Sequence, residues 1–126
     1  MSNARAILWM DHHNAHFGPL HGDGVDMVHL RSHTHPTRQH ASEVRSEHEF
    51  FGRICDALGG FGEVLVTGSH LAQSDFRRYV DKHRPADAGR IVGWDTVDRP
   101  TASQLLALGR QFFHRHDRMG ADPALG

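Results

Sequence analysis

Histidine is the residue type in this chain best suited to chemistry near neutral pH, with 13 copies against 14 lysines and arginines combined. Asp11, His12, His13 and His16 crowd one short stretch, and His33, His35, His40 and His48 lie in and after a polar segment. Imidazoles and carboxylates together are ligands for transition metals such as zinc or nickel. Asp11, His12, His13 and His35 therefore form a candidate metal set, and a metal-dependent hydrolase is the activity such a set would serve. No HExxH or Cys/His finger spacing occurs, and one cysteine, Cys55, cannot support a structural thiolate site. A solvated histidine surface is the simpler reading of the same residues.

A second constellation sits where two short apolar runs end. Val64 to Thr67 is followed by Gly68, Ser69 and His70, and Ile91 to Trp94 by Asp95, Thr96, Asp98 and Thr101. A glycine there lets a ligand approach the backbone, and the free N–H groups of a following helix can hold a phosphate or carboxylate. The simpler alternative is that Gly68 turns the chain and Ser69 caps the helix. Arg77, Arg78 and Arg84, with Lys82 and Arg90, can form a cationic patch for phosphate contacts, or a solvated face interspersed with Asp75, Asp81 and Asp87. Ser69 and His70 are chain neighbours, which does not make them nucleophile and base, so no catalytic set is assigned.

The elements that must position these residues follow from periodicity. Arg5 to Met10 reads as a strand, Ala15 to Leu20 as its return, and Val25 to Leu30 as a third strand after a Gly22-Asp23-Gly24 turn. Arg31 to Ala41 has almost no apolar residue and reads as an exposed, mobile histidine-rich loop. A helix beginning between Ser42 and Ser46, with Ser46 to Glu49 in capping-box form, places Val44, Phe51, Ile54, Cys55 and Leu58 on its apolar face. Glu63 to Thr67 is expected as the central strand, and Leu71 to His83 as a helix burying Ala72, Phe76, Tyr79 and Val80. After Ile91 to Trp94, Thr101 and Gln104 form a second capping box, and Leu105, Leu106, Leu108, Gly109, Phe112 and Phe113 give the last helix its apolar side. The end, residues 117–126, is expected to fray.

Two apolar runs around one amphipathic helix are the sequence form of a parallel βαβ unit. The whole order predicts an α/β fold: a three-layer α/β/α sandwich whose mixed sheet combines an N-terminal antiparallel meander with a parallel βαβ core. The length of 126 residues suits one domain. The formal charge is −1 with neutral imidazoles, and acidification adds up to 13 positive charges. No apolar run approaches the roughly 20 residues of a membrane span. Met1 to Asn3 precede the first strand too closely for a signal peptide, so a cytoplasmic location is expected. An exposed sheet edge would offer a route to a homodimer.

Leu65 to Val80, Ile91 to Thr101 and Gln104 to Leu108, with the opening Ile7-Leu-Trp-Met-Asp11-His12, resemble small bacterial translational machinery proteins. These are similar to the C-terminal domain of archaeal and eukaryotic peptide-release factors and of the ribosome-rescue protein Pelota. The Thr67-Gly68 turn and the Thr96-Val97-Asp98-Arg99-Pro100-Thr101 segment carry most of the likeness, with Asp95 standing where the pattern has Glu and Arg99 where it has His. The resemblance implies an α/β/α sandwich related to kink-turn RNA-binding ribosomal proteins. It also implies a non-catalytic module that associates with the ribosome by binding RNA or a translation protein. The hydrolytic Gly-Gly-Gln signature of release factors belongs to another domain, and here Gly59-Gly60 is followed by Phe61.

Overall fold

The computed structural model describes residues 4–20, 26–32 and 40–121. Its elements are β1 (Arg5–Met10), β2 (Asn14–Pro19), β3 (Val28–Arg31), α1 (His40–Leu58), β4 (Glu63–Gly68), α2 (His70–His83), α3 (Pro85–Ala88), β5 (Ile91–Thr96) and α4 (Ala102–Ala121). They form one five-stranded sheet in the order β3-β2-β1-β4-β5. β1 pairs antiparallel with β2, which pairs antiparallel with β3. β1 also pairs parallel with β4, and β4 parallel with β5. The meander and the βαβ unit are thus both present, and the expected side-by-side placement of Val64–Thr67 and Ile91–Trp94 is met.

The centre of the sheet differs from expectation. It is β1, flanked by β2 and β4, because its Ala6 to Met10 are apolar and buried on both faces. A strand covered on both sides reads as a continuous apolar run rather than an alternating one. Ala6, Leu8 and Met10 join Val64 and Val66 under Phe50, Phe51, Ile54, Ala72, Phe76 and Val80 of α1 and α2. Ile7, Trp9 and Leu65 face the other way, under Leu105, Leu106 and Phe113 of α4. Helices therefore cover both faces of one mixed sheet, as a three-layer α/β/α sandwich requires. Burying each Leu or Phe contributes about 1.5–3 kcal/mol, so α4 is an integral layer.

Glycines set the spacing of that layer. A Cβ on Gly93 would come within 2.6 Å of the Phe112 ring, and one on Gly109 within 3.1 Å of Ile7 Cδ1, so α4 lies close against the sheet. At the opposite end of the strands, Arg5 donates to Glu63 at 2.8 Å and to Asp117 at 2.7 Å, fastening α4 to β1 and β4.

Several boundaries move. α1 begins at His40, so Ser46 and Glu49 lie inside the helix and form no cap. Val44 is 41% exposed, and Phe50 takes the buried place expected of it. Arg31 belongs to β3, paired with Asn14, and the helix claims residues 40–41, while the rest of the expected loop, residues 33–39, lies outside the described residues. Val25 and the Gly22 to Gly24 turn also lie outside them. α4 continues through Asp117 to Ala121, and residues 122–126 are outside the description. The short helix α3 follows Arg84 directly, with Pro85 in its first turn, where a missing N–H costs nothing. Among the described residues, no helix is long and apolar enough to cross a membrane.

Candidate binding rim

The carboxyl ends of the parallel strands share one edge, because Met10 stands opposite Gly68 and Gly68 opposite Thr96. In open α/β sheets this is the edge where ligands bind. Gly68 makes the close approach of β1 and β4 possible. Its φ of +135° is a region that side chains avoid, and an added Cβ would overlap the carbonyl oxygen of Met10. The next residue, Ser69, donates its N–H to that same carbonyl at 3.1 Å.

Gln73 ties the other pair of strand ends. Its Nε2 donates to the carbonyl of Gly68 at 2.8 Å and to that of Asp95 at 2.9 Å, and the side chain is buried. Val97 N adds a bond to the Gly68 carbonyl at 3.1 Å. Trp9 Nε1 donates to the Val97 carbonyl at 3.2 Å, and the Arg99 guanidinium lies 5.7 Å from the Trp9 ring. The loop after β5 is therefore fixed on both sides.

Three expected rim side chains serve the scaffold. Thr67 is fully buried, and its hydroxyl donates to the Leu8 carbonyl at 2.8 Å. Ser69 Oγ accepts from Ala72 N at 3.4 Å and caps α2. Thr101 and Gln104 form the reciprocal capping box of α4, with Gln104 Oε1 accepting from Thr101 N at 2.9 Å and Thr101 Oγ1 accepting from Gln104 N at 3.1 Å. His70, Asp95, Thr96, Asp98 and Thr101 remain exposed along the edge. Leu71, in the first turn of α2, joins them at 69% exposure.

The cationic group is divided. Arg84 pairs with Asp56 at 2.9 Å and with Asp87 at 2.9 Å, and the hydrogen bond it donates to Asp56 holds its pKa above the usual value. Arg90 is held by Asp87 and the Phe61 carbonyl. Arg77 stacks 5.3 Å from the Trp94 ring, and Arg78, 78% exposed, lies 3.8 Å from Asp75.

The histidine turn also separates into roles. Asp11 Oδ1 accepts from His13 N at 2.8 Å and Asn14 N at 2.6 Å, so this carboxylate shapes the turn between β1 and β2. His13 is exposed, and His35 lies outside the described residues. Among the described members of the expected set, His12 meets other ligand groups, namely Asp75 on α2, 2.8 Å from its Nε2, and Glu47 on α1. His16 stacks on His29 with ring centroids 4.3 Å apart, and its Nε2 is buried without a partner. Burial, then His29 and Arg99, push His16 below its ordinary value. Cys55 is buried, and its thiol is pushed up to about 11, which suits a core residue and not a nucleophile.

Gln73, Glu47, Asp75 and Leu71 are the residues that local patterns did not single out. A signal existed for Gln73, a polar residue inside the buried stripe Ala72, Phe76 and Val80. Glu47 and Asp75 meet His12 only through the long-range packing of α1, α2 and β1.

Strand order, layer assignment and this shared edge define a three-layer α/β/α sandwich around one mixed five-stranded sheet. Among solved structures, the chain is similar to Pelota of Archaeoglobus fulgidus, with a TM-score of 0.53 and 18% identity over 92% of this chain and 37% of that one. It is also similar to the archaeal translation termination factor aRF1, with a TM-score of 0.51 and 16% identity over 94% of this chain and 42% of that one. At such identities the likeness establishes the fold, and the chain spans less than half the length of either neighbour. No protein-family model matches the sequence, and no curated protein matches it.

Proposed function

We propose that this chain is a non-catalytic module of the translation apparatus that docks on a protein partner through the rim formed by His70, Leu71, Asp95, Thr96, Asp98 and Thr101. The fold is shared with a translation termination factor, which supports the setting. The observation that carries the reading is Leu71, a large apolar side chain 69% exposed on the edge where α/β sheets bind ligands. An isolated exposed leucine is ordinary, but here it stands beside polar groups on a backbone fixed by Gly68 and Gln73. Such a rigid apolar point within a polar rim suits a protein surface.

Recognition of ribosomal RNA is the second reading, with Arg77, Arg78 and Arg84 as phosphate contacts. It is less favoured, because Asp56 and Asp87 already neutralise Arg84 and the formal charge of the chain is −1. Phosphate recognition depends on uncompensated cations and weakens steeply with salt.

Sedimentation with ribosomes and their associated proteins, at low and high salt and with or without nuclease, tests the proposal. Association that persists at high salt and survives nuclease treatment of exposed RNA supports a protein partner. Association abolished by salt or nuclease supports the RNA reading instead, and no association at low salt removes the translation setting.

A further inference from the structure

His12, in the turn after β1, Glu47 on α1 and Asp75 on α2 bring one ligand atom each to within 4.8 Å of one another, and all three side chains are half-buried. Two carboxylates at this separation repel unless a cation lies between them. Asp75 shares a 2.8 Å contact with His12 Nε2, and among the described residues its other oxygen has only the exposed Arg78 at 3.8 Å. Glu47 takes no hydrogen bond or ion pair from any described residue. A carboxylate with no partner among the described residues thus converges with an imidazole and a second carboxylate from three separate elements.

We propose that His12, Glu47 and Asp75 bind a divalent transition cation, zinc(II) first, with water completing the coordination. Zinc bonds of about 2.0–2.2 Å place tetrahedral ligand atoms about 3.3–3.6 Å apart, so rotamer adjustments of about 1 Å close the set around the ion. An imidazole with two carboxylates is a nitrogen and oxygen set, which favours zinc over thiophilic ions such as Cu(I). The ion takes the place of the proton between His12 Nε2 and Asp75. An imidazolium releases that proton, whereas a neutral ring carries its proton on Nδ1. The bound ion would join the β1 turn to α1 and α2, and the site stands whether or not the rim binds a partner.

The other histidines would bind zinc adventitiously, so the experiment separates the two sources. Tag-free, chelator-stripped full chain is titrated with zinc against a chromophoric competitor, and its thermal midpoint is measured with and without zinc. Glu47→Gln and Asp75→Asn keep the side-chain shapes, and their midpoints without zinc report whether they fold. The expected result is one equivalent bound by the wild type and by the His33→Gln/His35→Gln double variant. Affinity should fall at least tenfold in Glu47→Gln and in Asp75→Asn, and the zinc-induced rise in midpoint should disappear in both. Wild-type affinity in either folded carboxylate variant, loss of the equivalent in the double variant, or no tight equivalent in the wild type overturns the proposal.

Discussion

Gln73, buried beneath the first turn of α2, donates its side-chain amide to the main-chain carbonyl of Asp95, 2.9 Å away on β5. The same nitrogen reaches the Gly68 carbonyl at 2.8 Å, so one side chain holds the ends of two parallel strands together. Gln73→Ala should cost about 1–3 kcal/mol, because it withdraws the amide from both carbonyls and leaves that of Asp95 without its donor. Gln73→Glu should cost more, since a carboxylate turned toward two carbonyls cannot donate. Urea denaturation measures both, and equal stability of the three proteins would contradict the bridging role.

Gly68 has the opposite requirement, a position where any side chain is excluded. Gly68→Ala meets both an unfavourable φ of +135° and the Met10 backbone, whose nitrogen would lie 2.8 Å from the new Cβ. Strain of about 1–3 kcal/mol for the backbone alone, with overlap added to it, should lower the thermal midpoint by well over 5 °C. An unchanged midpoint would mean that β1 and β4 do not approach as described.

These residues show how far local pattern reached. β1, the parallel unit and the Thr101–Gln104 cap were legible, because apolar runs, glycine breaks and capping spacing are written within a few residues. The centre of the sheet was not, since Trp9 opposite Thr67 is a pairing across nearly half of the chain that no short window contains. Ser46 and Glu49 carry capping spacing inside α1, where backbone donors are already satisfied, so the motif misplaced the helix start. Arg84 looked available for phosphate because Asp56 is 28 residues away and arrives only through packing. The histidine turn was recognisable as a cluster, yet Asp11 is spent on the turn and the carboxylates facing His12 come from α1 and α2.

His16 makes stability depend on pH. It is held below its ordinary value chiefly by burial, then by His29 on β3 and Arg99 after β5, while Asp11 acts in the other direction. Trp9 closes one side of the ring, and the buried Nε2 has no acceptor for an added proton. The unfolded chain therefore takes up this proton at a higher pH than the folded one. The resulting destabilisation is absent well above pH ~6.5, sets in as the pH falls through that value, and is complete below the folded-state value. Urea midpoints at pH 7.5 and 5.5 should show a smaller drop for His16→Gln than for the wild type. An equal drop would assign the acid sensitivity to other histidines.

Leu71 separates binding from folding. It is exposed, so Leu71→Asp should change stability by no more than about 0.5 kcal/mol. The same change should reduce association with the translation partner at both low and high salt. Arg78→Glu, also at an exposed position, should leave high-salt association intact. If Arg78→Glu abolishes association and Leu71→Asp does not, phosphate contacts carry the binding.

The most direct test of the rim is hydrogen–deuterium exchange of the chain alone and in its ribosome-associated complex. Slowed exchange in peptides covering residues 68–71 and 95–101, with the outer face of α4 unchanged, is the expected result. Protection confined to α4 or to the β3 edge, with those two segments exchanging as in the free protein, would contradict the rim as the docking surface.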